Sequence, residues 1–439
     1  MPELFSTSEP IAIFWYRRDL RIRDNAGLFH ALQSGFRVLP IFVFDTEILD
    51  RLDERKDRRI EFITGALNEL QKIFVEAGSS IAVYHTLPEV AFRMLLSEYN
   101  VKAVYANRDY EPGAISRDKN MAEMLRASGI PFHTFKDQVL FEENEVRKAD
   151  GTPYTVYTPY SKAWKKLLTA DSVRSFPSED LAGNLMKTDP LTIPSPVDLG
   201  FVSTGYHYSL PVVKTEIISD YHKTRNYPSI EGTTRLGVHL RFGTVSVREI
   251  VLTALHLNEV WLNELIWREF FMSILWHFPH VAEHSFKRKY DNISWRNNED
   301  EFERWCSGMT GFPIVDAGMR QLNETGFMHN RARMITAGFL TKDLLIDWRW
   351  GEAYFAQKLL DLELSSNNGN WQWAAGRGCD AAPYFRVFSP DEQTRKFDPD
   401  KLYIKKWIPE FGTDSYPQPV VDHRSARERA VMTYRETLQ

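Results

Sequence analysis

Glu264 and Trp267 stand three positions apart in a stretch of helical periodicity, and Asn330, Arg333 and Met334 repeat that spacing further along, so each set shares one helix face. Each face combines hydrogen-bonding groups with an aromatic or apolar wall. That mixture suits a flat heterocycle, stacked on its plane and read at its edge. Taken singly, each set also describes an ordinary core helix with a satisfied polar residue. The densest stretch runs from 361 to 386 and holds Asp361, Glu363, the adjacent Asn367 and Asn368, then Trp371 and Trp373. Its Gly and Asn content predicts a backbone bend that turns polar side chains inward rather than a plain helix. Residues 231–237 read Glu-Gly-Thr-Thr-Arg-Leu-Gly before a helix-prone stretch. Their hydroxyls, backbone donors and Arg235 can hold a diphosphate where a helix begins. Helix capping is the commoner use of such hydroxyls.

The elements that must position these groups fall into two kinds. The first 135 residues alternate short β-rich apolar runs, at 11–16, 37–44, 81–85, 103–106 and 131–135, with helical stretches at 25–33, 55–77, 88–98 and 116–128. Such alternation predicts an α/β fold, a doubly wound parallel sheet of Rossmann type covered on both faces. No G-x-G-x-x-G follows its first strand and no Walker A sequence occurs, so the common dinucleotide and triphosphate fingerprints are absent. Residues 136–215 are proline-rich and weakly patterned, and read as an interdomain connector. From 216 to 439 the period is helical, with helices expected at 247–257, 262–276, 299–307, 313–325, 330–348 and 351–360. The second domain is thus a larger all-α unit.

Composition narrows the class. At 439 residues and 43% hydrophobic content the chain is long enough for two or three cores. The net charge of −5 excludes a polybasic surface, so any nucleic-acid contact is a local patch. Two cysteines, Cys306 and Cys379, lie far apart without metal-ligand spacing and suggest neither disulfides nor zinc. No apolar run reaches the roughly 18 residues of a membrane span, and the first ten residues lack the order of a signal peptide. A soluble protein of the cytoplasm is expected. Of 12 tryptophans, only Trp15 and Trp164 precede residue 221; Trp261, Trp276 and Trp305 read as core packing.

From Tyr16-Arg-Arg-Asp-Leu-Arg to Asp422-His-Arg-Ser-Ala-Arg, the sequence resembles the photolyase/cryptochrome family over nearly its whole length. The strongest match is Asn367-Asn-Gly-Asn-Trp-Gln-Trp-Ala-Ala with Asp380-Ala-Ala-Pro-Tyr-Phe-Arg; Gly311-Phe-Pro-Ile-Val-Asp, His329-Asn-Arg-Ala-Arg-Met and Leu344-Leu-Ile-Asp-Trp follow in the family's order. The resemblance implies a bent FAD in the helical domain, active in its reduced form, and an α/β domain able to carry an antenna. Tyr221, Thr233, Thr234, Arg235, Leu236 and Gly237 match the phosphate-holding segment, with Gly237 standing where many relatives have Ser. Arg333 and Asp361 match the ion pair beside the flavin ring. Asn367 matches the residue facing flavin N5, and Glu363 stands where Asp is common. By the same resemblance Trp371, Trp348 and Trp295 form a relay that photoreduces the flavin, Trp371 innermost and Trp295 nearest solvent.

Glu264, Trp267, Asn330, Met334 and Trp373 match the pocket of enzymes that split cyclobutane pyrimidine dimers, those of class I being the nearest in pattern. Met334 discriminates most, because relatives acting on the (6-4) photoproduct tend to have His there and plant-type photoreceptors Val; such photoreceptors also place Asp at the position of Asn367. The resemblance therefore implies a light-driven carbon-carbon lyase, a monomer acting on ultraviolet-damaged DNA. Blue-light signalling and (6-4) repair are the alternatives. Arg225, Arg331 and Arg386 match positions that grip the DNA backbone. At the antenna, Ala114 occupies a place where a folate-contacting Glu is expected, and a deazaflavin, a flavin, a folate or an empty site all stay open.

Overall fold

A computed structural model of the chain describes residues 7–381 and 383–438. Five parallel strands, β1 (Thr7–Tyr16), β2 (Arg37–Phe44), β3 (Ala82–His85), β4 (Tyr99–Asn107) and β5 (Phe132–Phe135), form one sheet in the order β3-β2-β1-β4-β5. The central strands carry unbroken apolar runs because both faces are covered. Residues 11–16 of β1 and 38–44 of β2 are buried throughout. The register is set by pairs such as Ile13 with Leu39 and with Val104. Helices Ala26–Leu32, Arg58–Glu76, Pro88–Glu98 and Pro112–Ala127 make the crossovers. Asn25 and Asp57 cap the first two by accepting from Leu28 and Arg59 amides. The strand order reverses between β1 and β4, the place where open sheets of this kind receive ligands.

The chain divides into two compact units whose borders differ from a simple three-part division. The first runs to Glu142 and takes in Leu168–Val213 and Leu236–Thr253. The second comprises Glu143–Leu167, Lys214–Arg235 and the chain from Ala254 on. Residues 136–215 are therefore shared between the two units and do not stand apart. Among the described residues, no helix is long and apolar enough to cross a membrane, and no cluster of His, Cys, Asp and Glu could hold a metal.

The second unit is helical. Its core centres on Trp305, Leu322, Leu340, Trp348 and Trp371, each no more than 2% exposed. Two expectations need correction. The helix expected over 330–348 ends at Gly338; a π-helical turn follows over Phe339–Asp343, and Leu345 takes a φ of 52° before a new helix, Trp348–Lys358, starts under the Asp347 cap. This break lets buried Lys342 reach the Ala375 carbonyl at 2.9 Å and buried Asp343 meet His423 at 2.5 Å. The bend expected within 361–386 starts only after a regular helix, Leu364–Ala374. Tertiary packing overrides its poor propensity. A Cβ on Gly369 would sit 2.1 Å from the Phe271 ring, so glycine is what lets this helix lie against Glu259–His277. Asn368 is consumed by the Val281 carbonyl at 2.9 Å.

Candidate functional site

Eight of the residues singled out from sequence line one open cleft in the helical unit: Asn330, Arg333, Met334, Asp361, Glu363, Asn367, Trp371 and Trp373. The helices Asn330–Gly338 and Leu364–Ala374 supply most of them, and Phe355 and Leu359 add an apolar wall from Trp348–Lys358. Arg333 donates to Asp361 at 2.9 Å and through Nε to the Met328 carbonyl at 2.8 Å. The ion pair is thus fixed from both sides. Glu363 is buried yet satisfied, receiving Arg268 at 3.0 Å and the Ser366 hydroxyl at 3.3 Å. Asn367 donates to the Glu352 carbonyl at 3.1 Å, which orients its amide.

Glu352 carries no signal in the sequence pattern. Burial pushes its carboxyl up to about 7, against the opposing hydrogen bond from Asn368. Only its position one turn along the helix from Trp348, opposite the asparagine pair, marks it, and that is a three-dimensional fact.

A second cluster forms around Glu264 and Trp267 on the helix Glu259–His277. Arg225 meets Glu264 at 2.5 Å and lies 5.1 Å from the Tyr221 ring. A third of the Glu264 side chain reaches solvent, but its surroundings are protein. Desolvation raises its carboxyl above the ordinary value, with Arg225 partly offsetting the rise. Trp267 does not stand free: Tyr157 stacks on it with ring centres 3.6 Å apart and planes within 3°. One face of the indole is therefore already covered. Tyr157 escaped the sequence reading because it lies in the proline-rich stretch, where no periodicity flags it.

The cationic residues converge. Arg331 stacks over Phe397 at 4.1 Å and donates to Asn226 at 2.6 Å. Burial, then the charges of Arg225 and Arg386, pull its guanidinium below the ordinary value, which places all three arginines within one another's field. Arg386 is exposed, with Phe388 beneath it at 5.5 Å. Burial and four neighbouring arginines push His329 down to about 4, so it is neutral at pH 7.

The segment 231–237 divides. Thr233 and Thr234 are half-buried, while Arg235 is exposed at a φ of 54° and pairs with Glu231 at 2.8 Å. Leu236 is the N-cap of the short helix Gly237–Phe242 and its side chain makes no capping hydrogen bond. Leu236 is buried in the first unit and Gly237 is exposed. Of the three tryptophans in the relay pattern, Trp371 and Trp348 are buried and Trp295 is half-buried. Their indole N–H groups are all buried without a hydrogen-bond partner. Trp261 and Trp305 belong to the core as expected, and Trp276 is half-buried.

In the first unit, Glu111 precedes the helix Pro112–Ala127 and receives Arg18 at 3.0 Å and Arg241 at 2.9 Å. Arg17 and Arg117 each lie 5.1 Å from the Trp15 ring at the end of β1.

Residues 12–179 match the family described as DNA photolyase, and residues 261–414 match the FAD binding domain of DNA photolyase. The deoxyribodipyrimidine photo-lyase of a Synechococcus species is 36% identical over 471 aligned residues, covering 97% of this chain and 96% of the relative. The chain belongs to the DNA photolyase family. Among solved structures, a bacterial class III photolyase from Agrobacterium tumefaciens superposes with a TM-score of 0.88 at 31% identity, covering 100% of both chains. An archaeal photolyase from Sulfolobus tokodaii, whose structure contains two FAD molecules, gives 0.81 at 33% identity, covering 97% of this chain and 99% of that one. The cofactor of this family member is FAD. Its residues fit that group: the cleft sets a fixed ion pair and an oriented amide against Trp371, Trp373, Phe355 and Leu359, the donor set a flat ring with polar edges needs.

Proposed function

We propose that this photolyase repairs cyclobutane pyrimidine dimers in DNA, driven by light. The observation that carries the reading is that Asn330, Met334 and Trp373 line the same cleft as Arg333, Asp361 and Asn367, so groups suited to a lesion and groups suited to a flavin share one space. The chemistry FAD would supply when bound, in its fully reduced form and under blue or near-ultraviolet light, is the reversible loan of one electron to the dimer, which opens the cyclobutane ring.

The protein's part is binding and orientation. A dimer pairs and stacks poorly, so swinging it out of the duplex costs less than for an intact pair. Arg225, Arg331 and Arg386 hold the backbone phosphates beside the cleft without reading sequence. The part of Trp267 that Tyr157 and Phe271 leave accessible, with Trp373, walls the extruded bases. Asn330 and Glu264 hydrogen-bond their edges. Burial raises the Glu264 carboxyl above its ordinary value, and drawing Arg225 toward a phosphate would raise it further. Arg333, Asp361, Asn367 and Glu363 would hold the flavin ring, and Tyr221, Thr233, Thr234, Arg235, Leu236 and Gly237 would hold its phosphates. Trp371, Trp348 and Trp295 would relay electrons from an external donor such as a thiol to oxidised flavin. The protein acts as a monomer in the cytoplasm, and an antenna chromophore belongs to the parallel-sheet unit.

The test is light-dependent loss of dimers from ultraviolet-treated oligothymidine, using protein with chemically reduced flavin and a dark control. Repair in the light alone is expected, and Glu264→Ala or Trp267→Ala should lower it at least tenfold with flavin content unchanged. No repair by fully reduced protein would overturn the reading in favour of photoreception or the (6-4) lesion.

A further inference from the structure

Arg377 follows the helix Leu364–Ala374 after a turn in which Gly376 takes a φ of 75°. Its side chain has no exposed surface. The guanidinium carbon lies 5.2 Å from the centre of the Trp295 ring and 5.8 Å from that of Trp348. One terminal nitrogen donates to the Tyr290 carbonyl, whereas Nε and Nη1 find no partner. Asp291 offers a carboxylate oxygen at 3.8 Å, but Ser285, His284 and Arg288 draw on the same carboxylate. An arginine keeps its charge even when buried. A cation answered only at a distance, by Asp291 and Asp347, therefore faces two indoles of the expected relay.

While the rings are neutral this contact is attractive, the cation meeting the negative face of each π-system. After an indole loses an electron, the ring itself is positive and the sign reverses. Burial leaves that repulsion weakly screened.

Resting on the relay reading above, we propose that Arg377 is an electrostatic brake on the tryptophan relay. It raises the free energy of an electron vacancy on Trp348 and Trp295 relative to Trp371, and so favours return of the transferred electron from the photoreduced flavin, which restores neutral tryptophan before an outside donor acts. The electron count is simple. An electron taken from Trp371 is replaced from Trp348, that one from Trp295, and the last from a thiol in solution, which is oxidised and releases its proton to water. Arg377 is a positioning residue that acts through the two indoles.

The test uses flavin-loaded protein. In Arg377→Met, and in Arg377→Gln, which keeps a donor for the Tyr290 carbonyl, the transient absorption of oxidised indole should persist several-fold longer. The yield of thiol-supported flavin reduction should rise by a similar factor. Arg377→Lys, which restores the charge, should return both toward wild type, and repair by chemically reduced protein should not change. An indole signal no longer than wild type in the neutral variants overturns the brake. Trp348→Phe separates the two readings. If it abolishes the long-lived signal, the relay stands, and a silent Arg377→Met sinks the brake alone; if it changes nothing, the relay fails and the brake with it.

Discussion

In the parallel-sheet unit, Arg21 and Arg248 meet Asp24 and Asp137 at 2.8–2.9 Å, while in the helical unit Arg377 and Lys342 are as deeply buried with far less to answer them. The first cluster is saturated. The Phe176 and Ala26 amides donate to Asp24 and Asp137, and the Ser246 hydroxyl donates to Asp24 as well. Burial would push the Asp137 carboxyl up, but the two guanidiniums outweigh it and hold the group below its ordinary value. Lys342 has the Ala375 carbonyl and the Tyr434 ring at 3.6 Å, and burial pulls its ammonium well down. Cancelled charges stitch loops together and project no field. Uncancelled ones cost stability and act on whatever lies beside them, here the outer tryptophans.

The sharpest way to break that contrast is to remove one charge from each unit. Asp137→Ala leaves Arg21 and Arg248 without their shared carboxylate and should cost about 3–5 kcal/mol, read as a fall in the urea midpoint at unchanged slope. Arg377→Met removes a buried cation that was poorly paired from the start. Its cost should stay within about 1 kcal/mol, or reverse sign. Equal losses in the two variants would mean that Arg377 is paired after all, and the contrast would fall.

A second difference concerns protons. Glu352 is held protonated by burial up to about 7, whereas its value in the unfolded chain is near 4.5. Below pH 4.5 both states carry the proton and the contribution is complete. As pH rises toward 7 the unfolded chain ionises first, so stability falls, and above 7 both are ionised and the loss ends. The loss should reach about 2–3 kcal/mol. It is measured as the difference between wild type and Glu352→Gln across pH 4.5–7.5. Parallel curves would show that Glu352 ionises freely.

What the sequence disclosed follows the same physical divide. All five strands and four crossover helices of the sheet unit were legible, because strands buried on both faces must be apolar runs and their turns need punctuation. The helical unit was read well where an amphipathic face repeats, as in Pro313–Thr325, and poorly where tertiary contacts set the backbone. Leu364–Ala374 is helical because Phe271 and Val281 receive Gly369 and Asn368, and neither partner is near in sequence. The break at Phe339–Asp343 likewise answers to Ala375 and His423. Site residues came through the family resemblance, and the cleft unites eight of them. Tyr157, Glu352 and Arg377 did not come through, since stacking, burial and an unanswered charge are properties of the folded chain alone.

The smallest effect on stability should come with a clear effect on the cofactor. Arg235 and Glu231 form an exposed pair, 51% and 70% accessible, and such pairs contribute about 0–1 kcal/mol to folding. The Phe327 ring 4.8 Å from the guanidinium adds little at such exposure. Yet the backbone there is committed, for Arg235 holds a positive φ that most side chains avoid. A residue that gains so little by pairing, on a conformation with a cost, is spending that cost on something other than the fold. If that purpose is the flavin diphosphate, Arg235→Ala should leave the melting temperature of the cofactor-free protein within about 2 °C while weakening flavin retention roughly tenfold, the share of one charge-assisted hydrogen bond. Unchanged retention would detach Arg235 from the phosphate segment and leave Thr233 and Thr234 to hold it.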